Sequence, residues 1–267
     1  MTTQRERGET FRAMHAGPAF IMPNPWDAGS ARALADLGFA ALATTSSGFA
    51  FTLGRVDGSV TLSEMAAHVR SIVAAVSLPL SADLENGYGA APEDASLAIA
   101  RVAEAGAVGG SIEDWDPHDG LYELPRAAER IAAAAETAHA LAYPFTLTAR
   151  AENHIREHPD LADTIARLQA YEAAGADVLY APGLTSAQDV RTVCEAVGKP
   201  VNVLALPGME LREVLDAGAR RVSVGGALTW AALDAMFEAA RALADEGALT
   251  GLRGTPPVVR GWDRPEG

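Results

Sequence analysis

Cysteine is almost missing from the 267-residue chain, where Cys194 stands alone. One thiol forms no intrachain disulfide and no Cys-x-x-Cys zinc site. Basic residues are also scarce: 21 Lys and Arg face 35 Asp and Glu, for a formal charge of −14. Nucleic acids and anionic membranes require a basic face, so neither is an expected partner. No apolar run approaches the roughly 18 residues of a membrane span. Met1–Glu9 is polar where a secretory signal would carry an apolar core. A soluble cytoplasmic protein is the expectation. No Pro-, Gly- or Ser-rich linker divides the chain, and no G-x-G-x-x-G follows its first strand-like run, which weakens a dinucleotide-binding reading.

Hydrophobic residues make up 49% and charged residues 21%, enough for a folded core and too apolar for disorder. Eight short β-type runs alternate with Ala/Leu-rich helical stretches: Ala19–Met22, Ala40–Thr45, Pro79–Asp83, Ala107–Ile112, Phe145–Ala149, Asp177–Tyr180, Val201–Ala205 and Arg221–Val224. Thr61-Leu62-Ser63-Glu64 reads as a capping box, and Pro92 and Pro159 suit first helical turns. Gly38, Gly106, Gly175 and Gly218 each end a helical stretch just before a strand. Such alternation predicts a parallel sheet covered by helices, and eight units favour a (β/α)₈ barrel as one domain over residues 1–267. Trp230–Gly247 reads as an additional C-terminal helix. Gly251–Gly267 reads as a tail, either loose or packed on a neighbouring subunit.

Barrel chemistry sits at the C-terminal ends of the strands. Acids concentrate behind the third, fourth and fifth runs: Asp83 and Glu85, then Glu113, Asp114 and Asp116, then Glu152 beside Arg150. Carboxylates gathered in a cleft stay ionised together only if a cation neutralises them. Hard oxygen ligands without a Cys or His cluster point to Mg²⁺ or Mn²⁺. Asp83 and Glu85 fall on one side of an extended strand end, the placement a shared cation needs.

Asp83-Leu84-Glu85-Asn86-Gly87-Tyr88-Gly89 resembles the D-x-[DE]-[TN]-G-[YF]-G signature of the phosphoenolpyruvate mutase/isocitrate lyase superfamily. Asn24-Pro25-Trp26-Asp27-Ala28-Gly29-Ser30-Ala31-Arg32 resembles its opening motif. Ser47-Gly48-Phe49 resembles the end of its S-G-S-G loop, Ile112-Glu113-Asp114 its I-E-D, and Ala149-Arg150 the start of its A-R-T-D. These motifs run in register from about Phe20 to Leu228. The resemblance implies a (β/α)₈ barrel, a homotetramer that exchanges its eighth helix between subunits, and Mg²⁺ with a small anionic 2-oxo acid. It implies that Asp83 binds the metal directly, while Asp57, Glu85 and Glu113 hold metal-bound waters. By the same resemblance, Arg150 grips the substrate carboxylate, Ser47 and Gly48 offer backbone N–H groups, and Trp26 and Asp27 line the pocket; Asn153, which follows the Arg150 strand end, Phe49 and Asn202 are further substrate-binding candidates.

The departures are as informative. The loop after the fourth strand reads Asp116-Pro117-His118-Asp119-Gly120-Leu121-Tyr122, without the Cys of the K-K-C-G-H lyases and without the Lys and Asn of the phosphorus–carbon branch. Cys194 falls in the helical stretch Ser186–Val197, remote from the mouth, as a core thiol. Glu113, His118, Tyr122, Glu152 and His154 remain as acid or base candidates. The expected activity is a Mg²⁺-dependent lyase that cleaves or decarboxylates a small 2-oxo or 2-hydroxy diacid through an enolate. The alternatives are phosphorus–carbon chemistry or a barrel that binds 2-oxo acids without turnover.

Overall fold

Strand residues alternate between two faces, and here the two faces carry opposite chemistry. A computed structural model of the chain describes residues 2–260 and 262. All eight expected runs form strands: β1 (Phe20–Met22), β2 (Leu42–Ala43), β3 (Leu80–Asp83), β4 (Gly109–Glu113), β5 (Thr146–Arg150), β6 (Val178–Tyr180), β7 (Val201–Leu204) and β8 (Arg221–Ser223). They are parallel, in the order β1-β8-β7-β6-β5-β4-β3-β2. Between β1 and β2 the Ala43 N–H donates to the Pro23 carbonyl at 3.1 Å, bridging the remaining gap. The chain is a (β/α)₈ barrel.

Leu80, Ala82, Ile112, Leu147, Ala149, Leu179, Val203 and Val222 face the helices and join one buried core with Ile72, Ile99, Leu168 and Tyr171. Their strand neighbours Ser81, Asp83, Ser111, Arg150, Asn202, Arg221 and Ser223 line a cavity inside the barrel. Barrel interiors are normally filled by layers of branched apolar side chains; this one is polar and leaves space.

Helix α1 (Gln4–Ala16) packs Phe11 against Val108 and Gly109 at the N-terminal side of the sheet. Helix α2 (Ala28–Asp36) begins at Asp27, and α3 (Ser46–Thr52) begins at Thr45. Helix α4 (Leu62–Ala75) carries the expected Thr61–Glu64 capping box, and α5 (Pro92–Glu104) has Pro92 in its first turn. Helices α6 (Leu124–His139), α7 (Leu161–Ala173), α8 (Ala187–Ala196) and α9 (Leu211–Asp216) complete the ring. The expected additional helix is α10 (Ala227–Glu246), closed by left-handed Gly247.

Past α10 the chain returns to its own barrel through α11 (Pro257–Arg260). The Trp262 indole donates to Asp36 at 2.7 Å, and the Arg32 guanidinium lies over its ring. The described part of the expected tail therefore packs on α2 of the same chain, while residues 261 and 263–267 lie outside the described residues. Among the described residues no helix is long and apolar enough to cross a membrane.

Candidate active site

Three strand ends bring the acids together around one guanidinium. Arg150, the last residue of β5, places Nη1 2.9 Å from Asp83 Oδ1 and Nη2 3.0 Å from Glu113 Oε2. Its Nε donates to Glu152 Oε1 at 2.9 Å. The Tyr180 ring lies under it, 5.3 Å away. Asp83 Oδ2 accepts the Ser46 backbone N–H at 3.0 Å, and the Asp83 N–H donates to Thr44 Oγ1 at 2.8 Å. Each carboxylate is thus aimed by a strand and pinned by a hydrogen bond before any ligand arrives.

Glu152 is fixed from behind. Its backbone N–H donates to Asp114 Oδ1 at 2.8 Å, and Asp114 Oδ2 accepts from Arg167 Nη1 at 3.1 Å and from the Tyr171 hydroxyl. Asp114 follows inward-facing Glu113 and so points outward, into the shell between barrel and helices. Asp114 is buried there and brackets the loop after β5. Neither of the two cavities at the barrel mouth includes it.

Those cavities, of about 220 and 110 Å³, share Ser46, Asp57, Arg150 and Arg156 in their walls. Arg156 was not singled out from the sequence. Its Nη2 donates to Glu113 Oε1 at 3.3 Å, and its guanidinium stacks over Trp115 at 4.9 Å. Its Nε pairs with Glu152 Oε2 at 3.4 Å, an ion pair without hydrogen-bond geometry. The available signal was a cation on the loop after a strand rich in site residues, in a chain poor in cations.

The acids repel one another. Burial, then the charges of Asp83 and Asp57, push the Glu85 carboxyl up to about 8. Asp57 is raised as well, first by desolvation of its carboxyl in the cavity walls and then by Asp83, although the residue as a whole is exposed at the rim. Burial and then Glu152 raise Glu113. Glu85 sits at a left-handed φ of 49° and leaves Oε1 buried without a partner. Among the described residues no three Asp, Glu, His or Cys side chains stand close enough to cage a metal. The donor set fits a hard cation that keeps much of its water, held by one or two carboxylates. The orphan oxygen and the mutual repulsion are what such a cation would relieve.

The other expected residues are placed as follows. Ser47 lines the larger cavity. Ser47 and Gly48 sit in the first turn of α3 rather than in a loop, because the Thr45 hydroxyl caps that helix. The cap takes the Gly48 N–H at 3.4 Å, which removes that donor from the expected substrate contact. A Cβ on Gly48 would come within 2.6 Å of Thr45 and 3.1 Å of Trp26, so glycine is required there by close packing. Asp27 is the exposed N-cap of α2, accepting the Ser30 N–H at 2.6 Å. Phe49 stacks on His68 at 3.8 Å. Asn153 is buried against Asp160 and Thr164, where it ties the loop to α7. Trp26, Asp27, Phe49 and Asn153 line neither cavity, whereas Asn202 lines the larger one.

His118 is exposed on the turn of a small hairpin whose arms are Trp115–Asp116 and Gly120–Leu121. Tyr122 is buried outside the cavities, its hydroxyl donating to Asp116 at 3.3 Å and its ring held between Arg126 and Arg130. His154 keeps a buried Nε2 without a partner and lines neither cavity. Cys194 packs against Gly218 at the helix shell, its thiol pushed up to about 11 by burial.

A (β/α)₈ barrel whose strand ends gather acids around an arginine defines an enzyme mouth. The chain belongs to the phosphoenolpyruvate phosphomutase family, whose model matches residues 11–244, within the phosphoenolpyruvate mutase/isocitrate lyase superfamily. It is similar to a Burkholderia cenocepacia J2315 protein provisionally assigned as a lyase/mutase, with 50% identity, 98% of each chain covered and a TM-score of 0.94. It is 31% identical to an oxaloacetate decarboxylase of Bradyrhizobium sp. strain BTAi1, over 95% of this chain and 91% of the relative. It is 26% identical to a 2,3-dimethylmalate lyase of solved structure, with 97% and 94% coverage and a TM-score of 0.85.

Proposed function

We propose that the chain is a divalent-metal-dependent carbon–carbon lyase that decarboxylates a small 2-oxo diacid of the oxaloacetate kind. The observation that carries this reading is the group of Asp57, Asp83, Glu85 and Glu113 beside Arg150, divided between two adjoining mouth cavities that no described histidine or lysine lines. Retro-aldol cleavage of a 2-hydroxy diacid needs a base to remove the hydroxyl proton. Here Asp83, Glu113 and Glu152 are already engaged with arginine. Decarboxylation needs no base to start. The electrons of the breaking C–C bond flow into the 2-oxo group, carbon dioxide leaves, and the enolate takes a proton from water to give a 2-oxo monoacid. Similarity to an oxaloacetate decarboxylase supports the same choice.

Asp83 would hold the cation, with Asp57, Glu85 and Glu113 reaching it through water. When bound, the cation supplies Lewis-acid polarisation of the oxo oxygen. Arg150 and Arg156 furnish positive charge at the mouth of a protein whose net charge repels anions. Ile155 and Pro182 contribute apolar wall to the same cavity.

The test is an assay with Mg²⁺ against oxaloacetate and a panel of 2-oxo and 2-hydroxy diacids. Pyruvate release from oxaloacetate is expected; release from 2-hydroxy diacids alone would overturn decarboxylation, and tight binding without release would make the chain a binder. Asp83→Ala is expected to abolish Mg²⁺ binding by calorimetry, and unchanged affinity in the folded variant would sink the metal assignment.

A further inference from the structure

Beneath the acidic mouth, the interior cavity ends on a cation that no acid balances. Arg221, the first residue of β8, is 2% exposed. Its Nε donates to Asn202 Oδ1 at 2.8 Å, Nη2 to Thr148 Oγ1 at 2.9 Å, and Nη1 to His15 Nε2 at 3.1 Å. All three partners are neutral. His15 must accept through Nε2, so its Nδ1–H donates to the Phe11 carbonyl at 2.8 Å. Burial and the charge of Arg221 hold that imidazole down to about 3, which keeps it uncharged.

The other buried arginines are compensated differently. Arg150 and Arg167 face carboxylates, and Arg130 lies over the Tyr122 ring against main-chain carbonyls. Arg221 has neither, and it borders open space. Three of the five guanidinium N–H groups are spent, leaving two. The cavity beside it is walled by Ser81, Ser111, Asn202 and Ser223, small groups able to donate hydrogen bonds to an anion. An isolated buried charge is costly unless something pairs with it. Burial pushes the Arg221 guanidinium down to about 10, which leaves it charged at neutral pH.

We propose that Arg221 forms an anion subsite on the floor of the cavity and takes the carboxylate that substrate and product have in common. The retained carboxylate then lies at the bottom of the barrel. The 2-oxo group lies alongside the acidic cluster, and the bond to be broken points up to the mouth, where Ile155 and Pro182 stand. The subsite itself rests on the geometry of Arg221; only the identity of the carboxylate rests on the lyase reading.

Formate, a carboxylate with nothing attached, separates the two. Titrated into metal-free protein, it is expected to raise the thermal midpoint in a saturable manner. In Arg221→Gln the formate affinity falls by about ten- to a hundredfold, as for loss of hydrogen bonds to a charged group. Pyruvate affinity in the presence of Mg²⁺ falls by a similar factor. Crystals of the unaltered protein soaked in bromide are expected to carry an ion within hydrogen-bond distance of Arg221, a readout that does not depend on the variant folding. No bromide at that position, or a formate response in Arg221→Gln as strong as in the parent, overturns the subsite. A loss confined to diacids overturns the assignment to the retained carboxylate. A protein that responds to formate through Arg221 but releases no pyruvate from oxaloacetate retains the subsite and loses the lyase reading.

Discussion

Arg150 is the residue on which most of the mouth depends, because it holds Asp83, Glu113 and Glu152 at once. A planar fork can do this; a single ammonium cannot match three directions. Any substrate carboxylate that approaches competes with Asp83 for Nη1. Arg150→Lys is therefore expected to weaken binding of 2-oxo diacids, through the carboxylate that Arg221 does not hold, by about ten- to a thousandfold, the range of a lost charged pair at roughly 2–5 kcal/mol. Mg²⁺ affinity should change far less. If calorimetry finds ligand affinity intact and only the melting temperature falls, Arg150 is a brace alone. Glu85 gives a second prediction. Its carboxyl is raised to about 8 by burial, Asp83 and Asp57, from an ordinary value of 4.5. A raised acid favours the folded state while protonated. That contribution is complete below about 4.5 and is lost as pH rises through about 8. Metal-free protein should thus lose stability from pH 5 to pH 8.5, and Mg²⁺ should restore more of it at the upper end, since binding displaces the protons. Glu85→Gln should flatten the profile between those limits in thermal melts; an unchanged slope would assign the pH dependence to Asp57 and Glu113.

Elements explain what could be read from the chain and what could not. The eight strands were legible because each is short, apolar toward the helices and preceded in four cases by a glycine stop. The acids were legible because they follow those strands directly. Helix α3 was not: Ser46-Ser47-Gly48 has loop composition, and only the Thr45 cap makes it a helix. The hairpin at Trp115–Leu121 has two-residue arms, too short for any periodicity. Arg156 and Arg221 were missed because their meaning lies in contacts with other strands, not in a local pattern. Asp114 shows the reverse case, a motif acid that the β4 alternation turns away from the mouth. It serves the Glu152 N–H, Arg167 and the Tyr171 hydroxyl together. Asp114→Ala should cost about 3–5 kcal/mol, as when one partner of a buried ion pair is removed. Urea denaturation measures this, and a loss below about 1 kcal/mol would mean the bracket is replaced by Asp163, which also pairs with Arg167 at 2.7 Å.

At the scale of the molecule, α10 is the element without a home. It runs for 20 residues and buries only Thr229. Trp230, Met236, Phe237 and Leu243 are 42%, 53%, 54% and 44% exposed, and Phe51 of α3 meets Trp230 edge-on at 6.0 Å. A soluble chain rarely leaves so continuous an apolar face in water. The face also starts at the site. Gly225 and Gly226 line the cavity, and a Cβ on Gly226 would come within 2.7 Å of the Trp230 indole and 2.9 Å of Ser47 Oγ. Wherever α10 is held, the mouth is held with it. We propose a homotetramer in which neighbours exchange this helix, an arrangement that would satisfy both facts. Light scattering at micromolar concentration should then give about four times the 27.8 kDa of one chain. Phe237→Glu, combined with Met236→Glu, places charge where the partner barrel would pack. The assembly should fall to smaller species while far-ultraviolet dichroism keeps its barrel signal, because neither side chain supports the chain's own core. Loss of Mg²⁺-dependent activity should accompany dissociation through the Gly226–Trp230–Ser47 contact. A parent protein that runs as a monomer, or a double variant that stays tetrameric, would leave α10 with some other role.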